Sequence, residues 1–446
     1  MATTKRDIKY LNRDFSSIRE SLIEFSKTYF PNTYNDFSPS SPGMMFMEQA
    51  AYVGDVMSFY LDNQLQETFT QFARQTNNLY ELAYMFGYKP KTTGAAQATI
   101  DIFQQVPSIL VGNDYVPDYS FALTVEANTS ITSQFDLESS FLIEDKCDFS
   151  VSSSQDPTEV SIYQISGEIP QYFLLKKSRN AISATIFQKS FTFTEFEQFP
   201  TVNINAEQII GVLDIVDSDG NTWYEVDYLG QEMVYDSIKN TNVNDPNYSV
   251  DEGDTPFLLQ LKKIQRRFAT RFTAEDNLQL QFGAGNPNDT DELITPNPNN
   301  VGIGLPFEQD KLTTAYSPTN FLFTGTYGIA PSQTTLTVRY LAGGGVASNI
   351  AAGVLTGINN TTTTFNTPSL TPATANYVFG TLAVTNPTAA DGGQAGDTDE
   401  EIRQNTLMQI AAQQRSVTLD DYMVRALSMP PRYGTIAKAY IEKPTL

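Results

Sequence analysis

In Leu213-Asp214-Ile215-Val216-Asp217-Ser218-Asp219-Gly220-Asn221-Thr222-Trp223-Tyr224-Glu225-Val226, two runs of β-branched and aromatic residues flank a short polar segment that contains Gly220. That pattern predicts two antiparallel strands joined by a tight turn. The same chemistry extends to both sides. Ala98-Thr99-Ile100-Asp101-Ile102-Phe103 and Phe191-Thr192-Phe193-Thr194 alternate apolar and polar side chains, as half-buried strands do. From about 97 to 340 the chain therefore reads as β-rich. Polar, Pro/Asn-rich segments interrupt it at Asn242 to Asp254, Asn286 to Asn300 and Asn359 to Thr364, and these predict surface loops.

Upstream the periodicity changes from two to between three and four. Ile8, Leu11, Phe15, Ile18, Leu22 and Phe25 lie three or four residues apart, which puts them on one stripe of a helix over 7–30. Arg13, Asp14, Arg19, Glu20, Glu24 and Lys27 fill the other side. So narrow and heptad-like a stripe suits a helix bundle, and the spacing leaves open whether the bundle is internal or shared with a partner chain. After Pro31 and the turn Pro39-Ser40-Ser41-Pro42-Gly43, a second helix is expected from about Met44 to Leu65. It is apolar nearly all round, through Met45, Phe46, Val53, Met57, Phe59, Tyr60 and Leu61, which predicts central burial. Asp55 in its middle reads as a rim residue or one facing a basic partner, and Gly54 as a place where another backbone can approach. A third helix should end near Phe86, capped by Gly87 and stopped by Pro90.

Downstream, Thr398-Asp399-Glu400-Glu401 predicts a capping box opening a helix to about Gln413, and Thr418-Leu419-Asp420-Asp421 a second one ending near Met429. Thr435 to Ile441 reads as a strand. The fold class expected is thus α+β: an N-terminal helical unit over 1–95, a β-rich middle over 96–325 with polar loops, and a mixed α+β end over 326–446.

Composition narrows the function. Aromatics make up 12% of the 446 residues, more than a disordered chain would carry, so most of it can fold around cores. The net charge of -23 repels phosphate backbones, so binding nucleic acid would need a local basic stripe. Only Lys262-Lys263-Ile264-Gln265-Arg266-Arg267 approaches one, and it lacks interleaved aromatics. Met44 to Leu61 carries Glu48 and Asp55 and makes a poor membrane span. Met1 to Asp7 is followed by no apolar core and does not read as a secretory signal. The single cysteine, Cys147, admits no internal disulfide and fits assembly in a reducing cytoplasm.

Candidate chemistry is sparse. The chain has no histidine, so Ser-His and Cys-His nucleophile activation are unavailable. Asp217, Asp219 and Asn221 begin like a calcium loop, but Thr222 stands where that loop needs glycine, which favours a plain hairpin turn. Gly283-Ala284-Gly285 and Gly343-Gly344-Gly345 lack a phosphate-binding fingerprint and read as tight turns or close packing. Glu400-Glu401 and Asp420-Asp421 sit in helix first turns, where the dipole accounts for them. Cys147 lies among Glu144, Asp145 and Asp148, which would raise its thiol pKa rather than activate it. No catalytic, metal-binding or cofactor-binding set is expected, and the chain reads as a structural part of a larger assembly. A host-recognition or glycan-binding module, suggested by the Tyr, Phe and polar loops, is the alternative reading; a carboxylate-based hydrolase ranks below it for want of a recognisable acid pair.

Several blocks resemble a known family. Val338-Arg339-Tyr340-Leu341-Ala342-Gly343-Gly344-Gly345-Val346-Ala347-Ser348-Asn349-Ile350-Ala351-Ala352-Gly353 is similar to the strand, glycine triplet and Asn-x-x-x-Gly run of baseplate J-like proteins. Asp391-Gly392-Gly393, Asp397 to Arg403 and Arg415 to Tyr422 resemble a second block in the same order, and Leu280 to Gly285 a strand and glycine turn upstream. Tyr10-Leu11-Asn12-Arg13-Asp14-Phe15, Phe37 to Gly43 and Leu82 to Pro90 resemble the large wedge-ring subunit of T-even-like contractile phages. About 100 to 200 carries no such likeness. The resemblance implies a virion protein of the tail baseplate wedge, with 326–446 as a J-like domain. In that family two copies pair within a wedge and join a second wedge protein through a helical bundle; the wedges form a ring around the central hub, whose rearrangement releases sheath contraction. It implies no enzymatic activity and no obligatory cofactor, while the charge and hydropathy above predict no nucleic-acid partner and no membrane insertion. The stripe Ile8, Leu11, Phe15, Ile18, Leu22 and Phe25 is then expected to face the bundle.

Overall fold

The computed structural model describes residues 14–133, 140–153, 156–239, 257–275, 277–286, 327–359, 362–365, 367, 370–413, 415–436 and 438–442. They form a mixed α+β protein with an N-terminal helical unit and a large β-rich body. Six α-helices occur among the described residues: α1 (Phe15–Tyr29), α2 (Pro42–Glu67), α3 (Thr76–Met85), α4 (Pro372–Gly380), α5 (Asp399–Ala412) and α6 (Leu419–Leu427). The chain divides into two compact units. One joins the residues up to Pro90 with Thr398–Ser416; the other joins Lys91–Asp397 with Val417–Leu446.

In the first unit, α1 covers only Phe15–Tyr29 of the helix expected over 7–30: Asp14 has extended backbone and starts it, and Ile8, Leu11 and Arg13 lie outside the described residues. Asp14 caps it by accepting the Ser17 N–H at 2.9 Å, and that bond, with one from the Ser16 hydroxyl, holds the Asp14 carboxyl below its usual range. Pro42 opens α2, where a missing N–H goes unneeded. Beyond α3, Gly87 adopts the left-handed φ of +83° that a helix end favours, as its position before Pro90 predicts. α5 begins with the expected capping box between Thr398 and Glu401 and packs on α3. The buried Arg403 ties it in, donating to the Ala73 carbonyl at 2.7 Å and to Glu400 at 3.0 Å.

The second unit is built on two large sheets. In the first, β1 (Gln97–Val111) carries β2 (Asp114–Pro117) at its far end, and β3 (Glu159–Ser166) and β1 flank β4 (Ile169–Ser183). This sheet has eight strands, and Ile100, Ile102, Ile131, Phe141 and Leu175 from its strands pack with Val378 of α4 in the larger core. After Ala184 the chain leaves β4 and continues as β5 (Thr185–Phe193) in the seven-stranded second sheet. There β6 (Ile209–Val216) and β5 both pair with β7 (Thr334–Ala342), so residues on either side of 325/326 share one sheet. Trp223, Phe268, Phe282, Leu336 and Val338 form its core. Leu142 and Ile182 of the first sheet meet Ile210 and Leu341 of the second in a smaller cluster.

The predicted hairpin is present: Ile215 pairs with Trp223 and Val216 with Thr222. The second capping box, Thr418 with Asp421, starts α6 as expected. The strand expected over Thr435 to Ile441 is not formed among the described residues of that stretch. Thr435 donates its N–H to the Gly392 carbonyl at 3.0 Å, but none of the described residues of this stretch joins a ladder. Ala437 and 443–446 lie outside the described residues, as do the loops expected over Asn242 to Asp254 and, beyond Asn286, to Asn300. Of Asn359 to Thr364, the last two residues belong to the strand Thr363–Phe365, which pairs with Leu123–Val125.

Candidate assembly interface

α1 and α2 form a helical hairpin, and the residues between them explain how close they come. A Cβ on Gly54 would lie 3.2 Å from Ile18 Cδ1, so glycine makes room for the Ile18 side chain. Arg19 pairs with Glu48 at 3.0 Å along the same seam; both are solvent-accessible, so the pair orients the helices more than it stabilises them. The predicted stripe divides here. Ile18 and Leu22 are half-buried, whereas Phe15 and Phe25 are exposed.

α2 departs from expectation. Its apolar residues predict central burial, yet its buried residues are Met44, Ala51, Gln66 and Glu67 only. Phe46, Val53, Met57 and Tyr60 recur at helical spacing along the opposite face and are 64%, 50%, 59% and 62% exposed. Met45, Tyr52, Phe59, Leu61 and Leu65 widen the open apolar surface. The physical reason is geometric: among the described residues α1 lies along one side of α2, and one helix cannot cover a helix that is apolar all round. A contiguous apolar surface of this kind marks an association site. Periodicity displayed the apolar residues but could not show whose chain would cover them.

The turn that follows α2 is closed by a buried carboxylate. Glu67 accepts the N–H groups of Arg74 at 3.0 Å and Gln75 at 3.2 Å and the Asn78 amide at 3.1 Å. Burial alone would push this carboxyl up, but the three bonds outweigh it and hold the group below its ordinary value. Glu67 is thus committed to structure as a carboxylate.

The other candidate groups are similarly occupied. The Asp217 carboxylate accepts from the N–H groups of Asp219 and Asn221 and from the Asn221 amide, the pattern of a hairpin turn. Cys147 is fully buried and its thiol is pushed up to about 11, chiefly by that burial; the neighbouring acids add less than the sequence suggested, and Arg179 and Lys177 oppose them. Gly343, Gly344 and Gly345 all have positive φ, and a Cβ on Gly344 would lie 2.6 Å from the Gly94 carbonyl, so close packing explains the triplet. Lys262 and Lys263 of the basic run end a strand, and Arg267 is buried with its guanidinium donating to the Leu229 and Ile264 carbonyls. Among the described residues no group of three or more Cys, Asp or Glu side chains is arranged to hold a metal ion, and no helix is long and apolar enough to cross a membrane.

Residues 14–85, which span α1 to α3, match the family described as bacteriophage baseplate protein, N-terminal domain. No curated protein matches the chain. The match covers the helical hairpin whose apolar face lies open, and it supports a phage baseplate protein with a structural role in the virion tail, associated with other baseplate proteins.

Proposed function

We propose that this chain is a wedge subunit of the baseplate of a contractile-tailed phage. It pairs with a second copy of itself and joins other wedge proteins through a helical bundle. The wedges form the ring around the central hub, close to the sheath, and the ring relays the rearrangement that releases sheath contraction. In this reading 326–446 is the baseplate J-like domain, and Phe15 and Phe25, with Ile18 and Leu22 behind them, belong to the bundle face; Ile8 and Leu11 extend that stripe in sequence.

The observation that carries the reading is the open α2 face. Covering an apolar side chain of this size contributes about 1.5 to 3 kcal/mol, so the row Phe46, Val53, Met57 and Tyr60 can drive a stable helical contact. Helix-on-helix docking through residues at such spacing is the mode that a row of this shape serves.

Co-expression with the other wedge proteins tests it. Val53→Asp combined with Tyr60→Asp should leave the chain folded on its own and abolish its co-purification with those partners. Phe15→Asp combined with Leu22→Asp should also prevent wedge assembly. Unchanged co-purification of the α2 variant would show that this face is not where the partners bind.

A further inference from the structure

β3 is an open edge. It pairs with β4 on one side, and among the described residues no strand pairs with the other. All eight of its residues are exposed, including Ile162 at 52% and Ile165 at 56%. A free edge offers a row of unpaired N–H and C=O groups, and proteins ordinarily guard such edges with lysine, proline, β-bulges or inward-pointing charge. From Val160 to Ser166 β3 has no charged residue and no proline. Its register with β4 shifts twice, between Ile162 and Gln164 and between Gln164 and Ile165. An uncharged run of strand-forming residues is the composition found where strands add to other sheets. At the ends of β1 and β2, Ile109, Leu110, Val111 and Tyr115 are exposed as well.

Charge selects what can cover this edge. A chain carrying -23 resists contact with its own copies unless acids are kept from facing one another. β3 meets that condition. In an antiparallel register centred on Tyr163, Ile162 stands opposite Gln164, Ser161 opposite Ile165, Val160 opposite Ser166 and Glu159 opposite Gly167. Glu159 is already held by Lys176 at 3.4 Å. A slip of one residue would set Glu159 against Glu168, and like charges directly opposite are destabilising.

We propose that β3 pairs antiparallel with β3 of a second copy about a two-fold axis, in the register centred on Tyr163, joining two eight-stranded sheets edge to edge. This rests on the self-pairing in the proposed function and names the surface that does it.

Sedimentation of the full chain across a concentration series, with and without Ile162→Lys and Ile165→Lys together, tests the assignment. Both sites are exposed, so the variant should keep the wild-type circular dichroism. The wild type should dimerise and the variant should dimerise about a hundredfold more weakly or worse. A variant that dimerises as well as the wild type overturns the β3 assignment and leaves self-pairing standing; a wild type that stays monomeric overturns self-pairing and this surface with it. Tyr163→Cys gives a second reading that needs no loss of binding. Opposed residues of an antiparallel pair have Cα atoms about 4.5 to 5.5 Å apart, within disulfide reach. Mild oxidation should link two copies at that position, while buried Cys147 stays reduced. A dimer that persists without the link overturns the register and the proposal.

Discussion

Glu67 shows how a single side chain sets a helix boundary in this protein. Its carboxylate takes the first N–H groups of the turn into α3, donors that the helix itself cannot satisfy. Glu67→Gln should destabilise the chain by about 1 to 3 kcal/mol, measured by denaturant unfolding near neutral pH. The sign of the pH dependence follows from its lowered pKa. A carboxylate depressed in the folded state contributes stability above its unfolded pKa of 4.5, and that contribution fades as pH falls through the folded value. The gap between wild type and Glu67→Gln should therefore close as pH drops below 4.5. A second residue of this kind is Asp156, which accepts from fully buried Lys177 at 2.7 Å and from Arg179 at 2.8 Å. Asp156→Ala would strand the Lys177 ammonium without its partner, and a loss of about 3 kcal/mol in unfolding free energy is expected. Neither carboxylate stood out in the sequence. Glu67 lies at the end of an apolar run and Asp156 in a polar one, and only the fold brings their partners within reach.

Among the elements, those with a local cause were the most readable. The hairpin around Gly220 and both capping boxes lie where short-range chemistry puts them, because each bonds within four residues of itself. Thr418→Ala should cost about 1 kcal/mol in thermal or chemical unfolding, since Ala cannot accept the Asp421 N–H. α2 was legible as a helix and illegible as a surface. Its apolar residues fit a central core helix and a docking helix equally, and the difference is which chain supplies the cover. Val53→Asp with Tyr60→Asp should change the unfolding free energy by no more than about 0.5 kcal/mol, as exposed positions do, while removing the association. The described residues of Thr435 to Ile441 alternate like a strand yet join no ladder, and alternation alone cannot report whether a ladder forms.

At the scale of the molecule, the α+β class and the order of helical and β-rich regions could be read from periodicity, but the long-range closure could not. α5 joins the helical unit across more than three hundred residues, Arg403 reaching Ala73, and β7 completes a sheet begun by β5 and β6. Such pairings are set by packing between distant segments, and no window of sequence contains both sides. At the helical hairpin, periodicity gave the spacing of the α1 stripe, and the open face of α2 could not be read from it. Both belong to the segment that matches a phage baseplate N-terminal domain, and the proposed wedge role requires that segment to face neighbouring subunits. A reconstruction of the intact phage particle tests this most directly. The account predicts that the chain lies in a ring around the tail hub with the α2 face covered by helices of another baseplate protein; finding it at a fibre tip or inside the capsid would contradict it.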